Sequence, residues 1–326
     1  MKKKLMILCM SVLVIIGCLT GCGKSSSKIR FGAAGLGGMY HTFADTFTNL
    51  VTSKNKDYNL EVKTTAGSAA NLRLLSKNYI QMAVAQTDLI HDAYQKTGIF
   101  KNEKKTRGYS AVAALYTEAC QIVVPADSSI KSVDDLQGKK VSIGEKESGT
   151  EQNAKQILSI YGLNEKLVNE VNLNYTNAAK QLKSGKIDAF FCTAGVETTV
   201  IGELAKQCNI RLISLDQRGI DKLKKSYGFY SECTIPKETY AKQSEDVKTV
   251  GVKAVLLASD KLPEETVKNM TEILFKNKQS IQYALPVDIS LDEKSAVKGI
   301  TIPFHKGAAA YYKAHGMNVS TKKGSN

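Results

Sequence analysis

Histidine, proline and tryptophan are the scarce residues of this chain, with four, five and none among 326. His41, His91, His305 and His315 show no metal-ligand spacing with one another or with a carboxylate. No Walker A loop, HExxH, CxxC, G-x-S-x-G elbow or EF-hand loop occurs either. P-loop phosphoryl transfer, zinc proteolysis, dithiol redox chemistry and calcium binding of the EF-hand type therefore lose their signatures. The chain reads as a non-enzyme with no metal and no cofactor. Repeats are missing too, and the low-complexity content is confined to one short Gly/Ser/Lys stretch near the start. Long apolar runs are limited to residues 5–17, short of the ~20 residues that a membrane-spanning helix needs.

That one apolar run has a context. Lys2, Lys3 and Lys4 precede it, and Leu19-Thr20-Gly21-Cys22 follows it. A basic segment, an apolar segment and small residues before a cysteine make an export signal, and the ending resembles a bacterial lipobox. Residues 1–21 are expected to be removed and Cys22 to be acylated. Residues 22–28 then form a solvated tether, and the body is expected on the extracytoplasmic face of the cell membrane. Acyl chains anchor by burying methylenes at ~0.8 kcal/mol each.

Loss of the signal takes the formal charge from +14 to +11. Export makes nucleic acid an unsuitable partner. The lysines are scattered, so they suit a solvated surface near anionic lipid or an anionic solute. Cys120, Cys192, Cys208 and Cys233 remain in the body. They can pair in three ways or stay as buried thiols, and their spacing fits no zinc or redox motif.

Strand-like and helix-like segments alternate throughout, which predicts an α/β fold of mostly parallel sheets covered by helices. Strands are expected over 29–32, 59–64, 82–85, 111–116, 121–125, 141–143, 171–173, 187–191, 210–213 and 250–258. Helices are expected over 40–54, 68–77, 88–94, 150–161 and 264–276, each with apolar residues at helical spacing.

Several of these strands run into a loop of small polar residues that opens a helix. Gly35 to Tyr40 follows the first strand, Ala66-Gly67-Ser68 the second (with Asn71 one turn further on), and Gln86-Thr87-Asp88 the third. Glu147 to Thr150 and Thr193-Ala194-Gly195 repeat the device. A helix N-terminus offers unpaired N–H groups and a partial positive charge, and glycine lets a ligand approach them. Ligands in open parallel sheets bind at the carboxyl ends of strands. Five such loops suit one cleft for a small carboxylate or zwitterion. Ser148 and Thr150 equally suit helix caps, and Asn71, Gln86 and Asp88 ordinary turns.

Several segments in order resemble the TAXI solute-binding proteins, the extracytoplasmic receptors of one branch of TRAP transporters. They are GLGGMYHTF (35–43), AGSAANL (66–72), MAVAQTD (82–88), ALYTEACQIVV (114–124), DLQGKKVSIGEKESGTEQNA (135–154), KIDAFFCTAG (186–195) and IPFHKGAAAYYKAHG (302–316). Leu36, Met39 and His41 depart from the family's first loop, and Glu197 stands where its later motif has proline.

The resemblance implies a two-lobed periplasmic-binding-protein fold of the second type. Lobe one would be 28–120 plus 234–326 and lobe two 121–233, hinged near 117–121 and 231–235. It implies capture of a glutamate-like amino acid or a dicarboxylate and delivery to a TRAP permease. Gly37, Gly38, Tyr40, Ser68, Asn71 and Gln86 on one lobe would face Ser148, Gly149, Thr150, Thr193 and Gly195 on the other, with Asp88 or Glu118 meeting an ammonium. An ATP-driven importer, or a signalling partner for a ligand-sensing lipoprotein, would use the same fold.

Overall fold

The computed structural model describes residues 28–285 and 291–322; Cys22, the signal and the tether up to residue 27 lie outside them. The first half of the chain reads β1 (Ile29–Gly32), α1 (Met39–Lys54), β2 (Leu60–Lys63), α2 (Ser68–Ser76), β3 (Met82–Gln86) and α3 (Thr87–Gln95). A 17-residue strand, β4 (Tyr109–Pro125), follows. Next come β5 (Lys140–Ser142), α4 (Gly149–Ile160), β6 (Asn169–Val171), α5 (Tyr175–Lys183), β7 (Ala189–Ala194) and α6 (Thr199–Gln207). Then come β8 (Ile210–Leu212), α7 (Gln217–Ser226), β9 (Ser231–Ile235) and β10 (Val247–Ser259). The remaining helices are α8 (Glu264–Lys276), α9 (Lys278–Ala284), α10 (Glu293–Ala296) and α11 (Lys306–Ala314).

Among the described residues the strands form one ten-stranded mixed sheet, ordered β2-β1-β3-β10-β4-β7-β5-β6, with β8 and β9 flanking β4 and β10. Each end repeats one arrangement. β1 pairs parallel with β2 and β3, and β5 pairs parallel with β6 and β7. The centre is antiparallel: β10 runs against β3 and β4, and β4 runs against β7. The extended segments expected over 111–116 and 121–125 are thus one strand. Its first part, residues 109–119, pairs with β10, and residues 119–123 pair with β7.

Burial explains why the central strands β3, β4, β7 and β10 are nearly continuous apolar runs. Helices cover both faces, so both sets of alternate side chains are inside. In β7, Phe191 packs with Ile122, Ile157 and Leu223, while Phe190 and Cys192 pack on the opposite face with Val123 and Leu204. At the other end Phe31, Phe43 and Phe47 form one aromatic group, with Phe43 and Phe47 stacked at 5.7 Å.

β4 and β10 are the strands with residues in the cores of both ends. The segment 231–235, expected as the second crossing, is β9. It pairs with the first part of β10, and Ile235 and Val247 pack with Phe190. All four body cysteines are free thiols. No helix among the described residues is long and apolar enough to cross a membrane.

Candidate functional site

Both parallel ends turn the carboxyl ends of their strands toward one cavity of about 60 Å³. At ~10–15 Å³ for one water, that is room for a few waters or a small solute. Its wall comes from successive strand-to-helix connections. Gly35 to Tyr40 joins β1 to α1, Ala66 to Ser68 joins β2 to α2, and Gln86 ends β3. From the other end come Glu145 and Ser148 to Thr150 between β5 and α4, Asn174 and Tyr175 at the start of α5, and Thr193 in β7. Glu118, in the middle of β4, completes it.

The backbone conformations follow from crowding at these turns. Gly67 sits at φ +119° and a Cβ there would stand 3.4 Å from Ser148 Cα, so the two ends meet backbone to backbone. Gly149 is tighter still: a Cβ would fall onto the amide oxygen of Gln86. The N-terminal amides of α2 are satisfied from across the cavity, with Ala69 and Ala70 N–H donating to the carbonyl of Glu147 at 3.1 and 3.3 Å. Ser148 caps α4, accepting from the Glu151 N–H at 3.1 Å. Gly38, before α1, has no side chain to offer its helix.

Glu118 is the chemical centre. It is buried, and its Oε2 accepts from Tyr40 OH at 2.7 Å and from Gln86 Nε2 at 3.0 Å. Burial pushes its carboxyl up to about 8, against the opposing pull of those two hydrogen bonds. Gln86 also accepts nothing at its buried Oε1, while its backbone N–H donates to Ser68 Oγ at 3.2 Å. On the far wall Tyr175 OH lies 2.6 Å from Thr150 Oγ1 and donates to the Thr193 carbonyl at 2.9 Å. Thr193 N–H closes the triangle on Thr150 Oγ1 at 3.3 Å.

Of the residues singled out by sequence, Gly38, Tyr40, Ser68, Gln86, Glu118, Ser148, Gly149, Thr150 and Thr193 line this cavity. Four others do not. Gly37 is exposed beside Thr176, with φ +82°. Asn71 is wholly buried and shares its Nδ2 among the carbonyls of Gly32, Ala33 and Val84. It is a clamp between β1, β3 and α2. Asp88 lies under the site, accepting from Asn153 Nδ2 at 2.9 Å, and burial pushes its carboxyl up to about 7. Gly195 lines a separate cavity of about 690 Å³ with Thr117, Glu197 and Lys253.

Tyr175, Asn174 and Glu145 were not foreseen. Asn174 accepts from the Asn177 N–H at 2.8 Å as the cap of α5. Asn174-Tyr175 thus repeats the strand-end device, without glycine to advertise it.

A two-ended α/β sheet with a cavity between facing helix N-termini is the architecture of a periplasmic-binding-protein fold. The NMT1-like family profile matches residues 31–316, and the chain belongs to that family. Among solved structures, a protein from Bordetella bronchiseptica RB50 is 16% identical, with a TM-score of 0.53 over 92% of this chain and 85% of that one. A Listeria monocytogenes protein described as "Putative L-Cystine ABC transporter" is 15% identical, with a TM-score of 0.51 over 81% of this chain and 98% of its own. The aliphatic sulphonate binding protein of Escherichia coli is 15% identical with a TM-score of 0.45, covering 90% of each chain. At these identities the likeness is one of fold.

Proposed function

We propose that this protein is an extracytoplasmic solute receptor that captures a small carboxylate or amino acid and hands it to a membrane importer. The observation that carries the reading is the cavity itself. Helix N-termini from both ends of the sheet meet over it, and Glu118 and Gln86 supply acceptors at its floor. A ligand carboxylate would take the amides at the start of α4, and an amino group would take Glu118 and Gln86 Oε1.

The two ends would act as lobes joined through β4 and β10, the second crossing lying in β10 in place of 231–235. A solute touching both ends favours the closed arrangement, because it shifts the equilibrium by its differential affinity. Binding is the whole task; nothing is transformed. Acylation at Cys22 would keep the receptor beside its importer. A Cys22→Ala chain is then expected in the medium, with unchanged affinity.

The delivery partner has two readings. The fold likeness to the Listeria protein supports an ATP-driven importer, and the sequence resemblance to TAXI proteins supports a TRAP permease. An ATPase gene beside this one favours the first, and a fused permease gene the second. The receptor reading is tested by thermal-shift screening against amino acids and carboxylates. A solute at 100 times its dissociation constant adds about 2.7 kcal/mol of stability. A screen in which no carboxylate or amino acid moves the transition refutes it.

A further inference from the structure

The turn between β5 and α4 brings a second carboxylate to the cavity. Glu145 lines it, half-buried, with Oε2 2.9 Å from where a Cβ on Gly35 would stand. Its carboxylate therefore lies against the loop that opens α1, where a second anionic group of a ligand would seek amides. Burial raises the Glu145 carboxyl above its ordinary value.

Two carboxyls, Glu118 and Glu145, thus face one small cavity whose lining holds no Lys, Arg or His. Neither joins an ion pair among the described residues. Arg73, the arginine set among these loops, is engaged by Glu103 at 2.9 Å and Glu147 at 3.0 Å. A third acceptor, Gln86 Oε1, is buried and without a donor, although Gln86 is only 2% exposed. The side-chain groups are thus short of donors and of positive charge. A buried acceptor left unpaired is costly, a ligand ammonium beside Glu118 offsets the burial that holds its carboxyl up, and a further carboxylate brought against Glu145 meets repulsion in a water-poor space. A ligand ammonium answers both deficits; a second ligand carboxylate worsens both.

We propose that Glu145, acting with Glu118, determines specificity: the site takes a solute with one positively charged nitrogen and at most one carboxylate, and rejects solutes with two carboxylates. This rests on reading the cavity as the solute site, and it narrows that reading by excluding dicarboxylates and acidic amino acids.

The test is isothermal titration of the purified protein with two charge-differing pairs, L-glutamine with L-glutamate and L-asparagine with L-aspartate, and with succinate. Each amide is expected to bind at least tenfold tighter than its acid, and succinate to give no heat. Glu145→Gln, at a half-buried turn position, is expected to fold as the parent does and to narrow each gap about tenfold. Acid binding as tight as amide, measurable succinate binding, or an unchanged gap in Glu145→Gln overturns the selection and leaves the receptor reading standing. Silence of both proteins toward all five probes overturns the selection, and the receptor reading falls with it only when the thermal-shift screen of amino acids and carboxylates is silent too.

Discussion

Glu118 and Asp88 are buried carboxyls without cationic partners, and this gives the protein an uncommon pH dependence. Their ordinary values of 4.5 and 3.8 rise to about 8 and about 7 on folding, mainly through burial. Between about pH 4 and pH 8 the unfolded chain has therefore released protons that the folded chain retains. Stability falls as pH rises through that window and is fully present below it. Each tenfold loss of acidity on folding corresponds to about 1.4 kcal/mol, so the slope is measurable by urea unfolding at successive pH values. Glu118→Gln and Asp88→Asn should each flatten it; an unchanged slope in both would mean that these groups ionise normally in the folded state. Asn71 makes a different case. Removing its side chain leaves the carbonyls of Gly32, Ala33 and Val84 short of a donor. Asn71→Ala should then cost about 3 kcal/mol in urea unfolding, since each unsatisfied buried group costs ~1–3 kcal/mol. From sequence alone Asn71 resembled a ligand contact, because an asparagine one turn into a helix at a strand end does not reveal which way it points. Gly149 was easier to place, since it falls in a segment whose position in the sheet follows from the alternation of elements.

Helix N-termini are the recurring element of the site, and Gly149 at the start of α4 shows how closely they are packed. A methyl there would meet Gln86 Oε1, the free end of a flexible side chain. Gly149→Ala should therefore push Gln86 off Glu118 without disturbing the backbone. Alanine favours a helix over glycine by ~1 kcal/mol, so the fold should hold while solute affinity falls at least tenfold. Calorimetric affinity together with the melting temperature separates the two effects, and parental affinity would place Gln86 outside the binding contacts. Ser148→Ala removes the cap of α4 and should cost about 1 kcal/mol of stability. Most strand-to-helix joints were legible because glycine, serine and threonine mark them. Asn174-Tyr175 escaped because β6 is short and its turn lacks glycine, although an asparagine cap after a strand was the available signal. β4 read as two segments for a related reason. Thr117 and Glu118 interrupt its apolar pattern where the strand floors the cavity, and a local pattern cannot tell a break from a polar floor.

The whole molecule is organised by two strands that belong to both ends and by one turn that reaches across. β4 and β10 carry the sheet through the middle, while the 145–148 turn lays its Glu147 carbonyl on the first amides of α2. Glu147 adopts φ +69° to do so, a conformation that suits glycine better. Its carboxylate also lies 3.0 Å from Arg73 Nη1, but Arg73 is 21% and Glu147 45% exposed, and that nitrogen is not aligned for a hydrogen bond. Exposed pairs contribute ~0–1 kcal/mol. If the two ends separate and close about β4 and β10, this pair can bias closure only modestly, and the backbone cap must do more. Apparent affinity scales with the population of the binding-competent form. Arg73→Ala should then weaken solute binding about fivefold at most. Glu147→Gly should do no worse, because it keeps the carbonyl and relieves the left-handed backbone. Titrations of both single variants and of the double variant give the coupling directly. A loss beyond tenfold in Arg73→Ala, absent in Glu147→Gly, would assign Arg73 a role other than this pair. Small-angle scattering of the solute-free proteins should show little change in radius for either variant, since the carbonyl-to-amide contact remains.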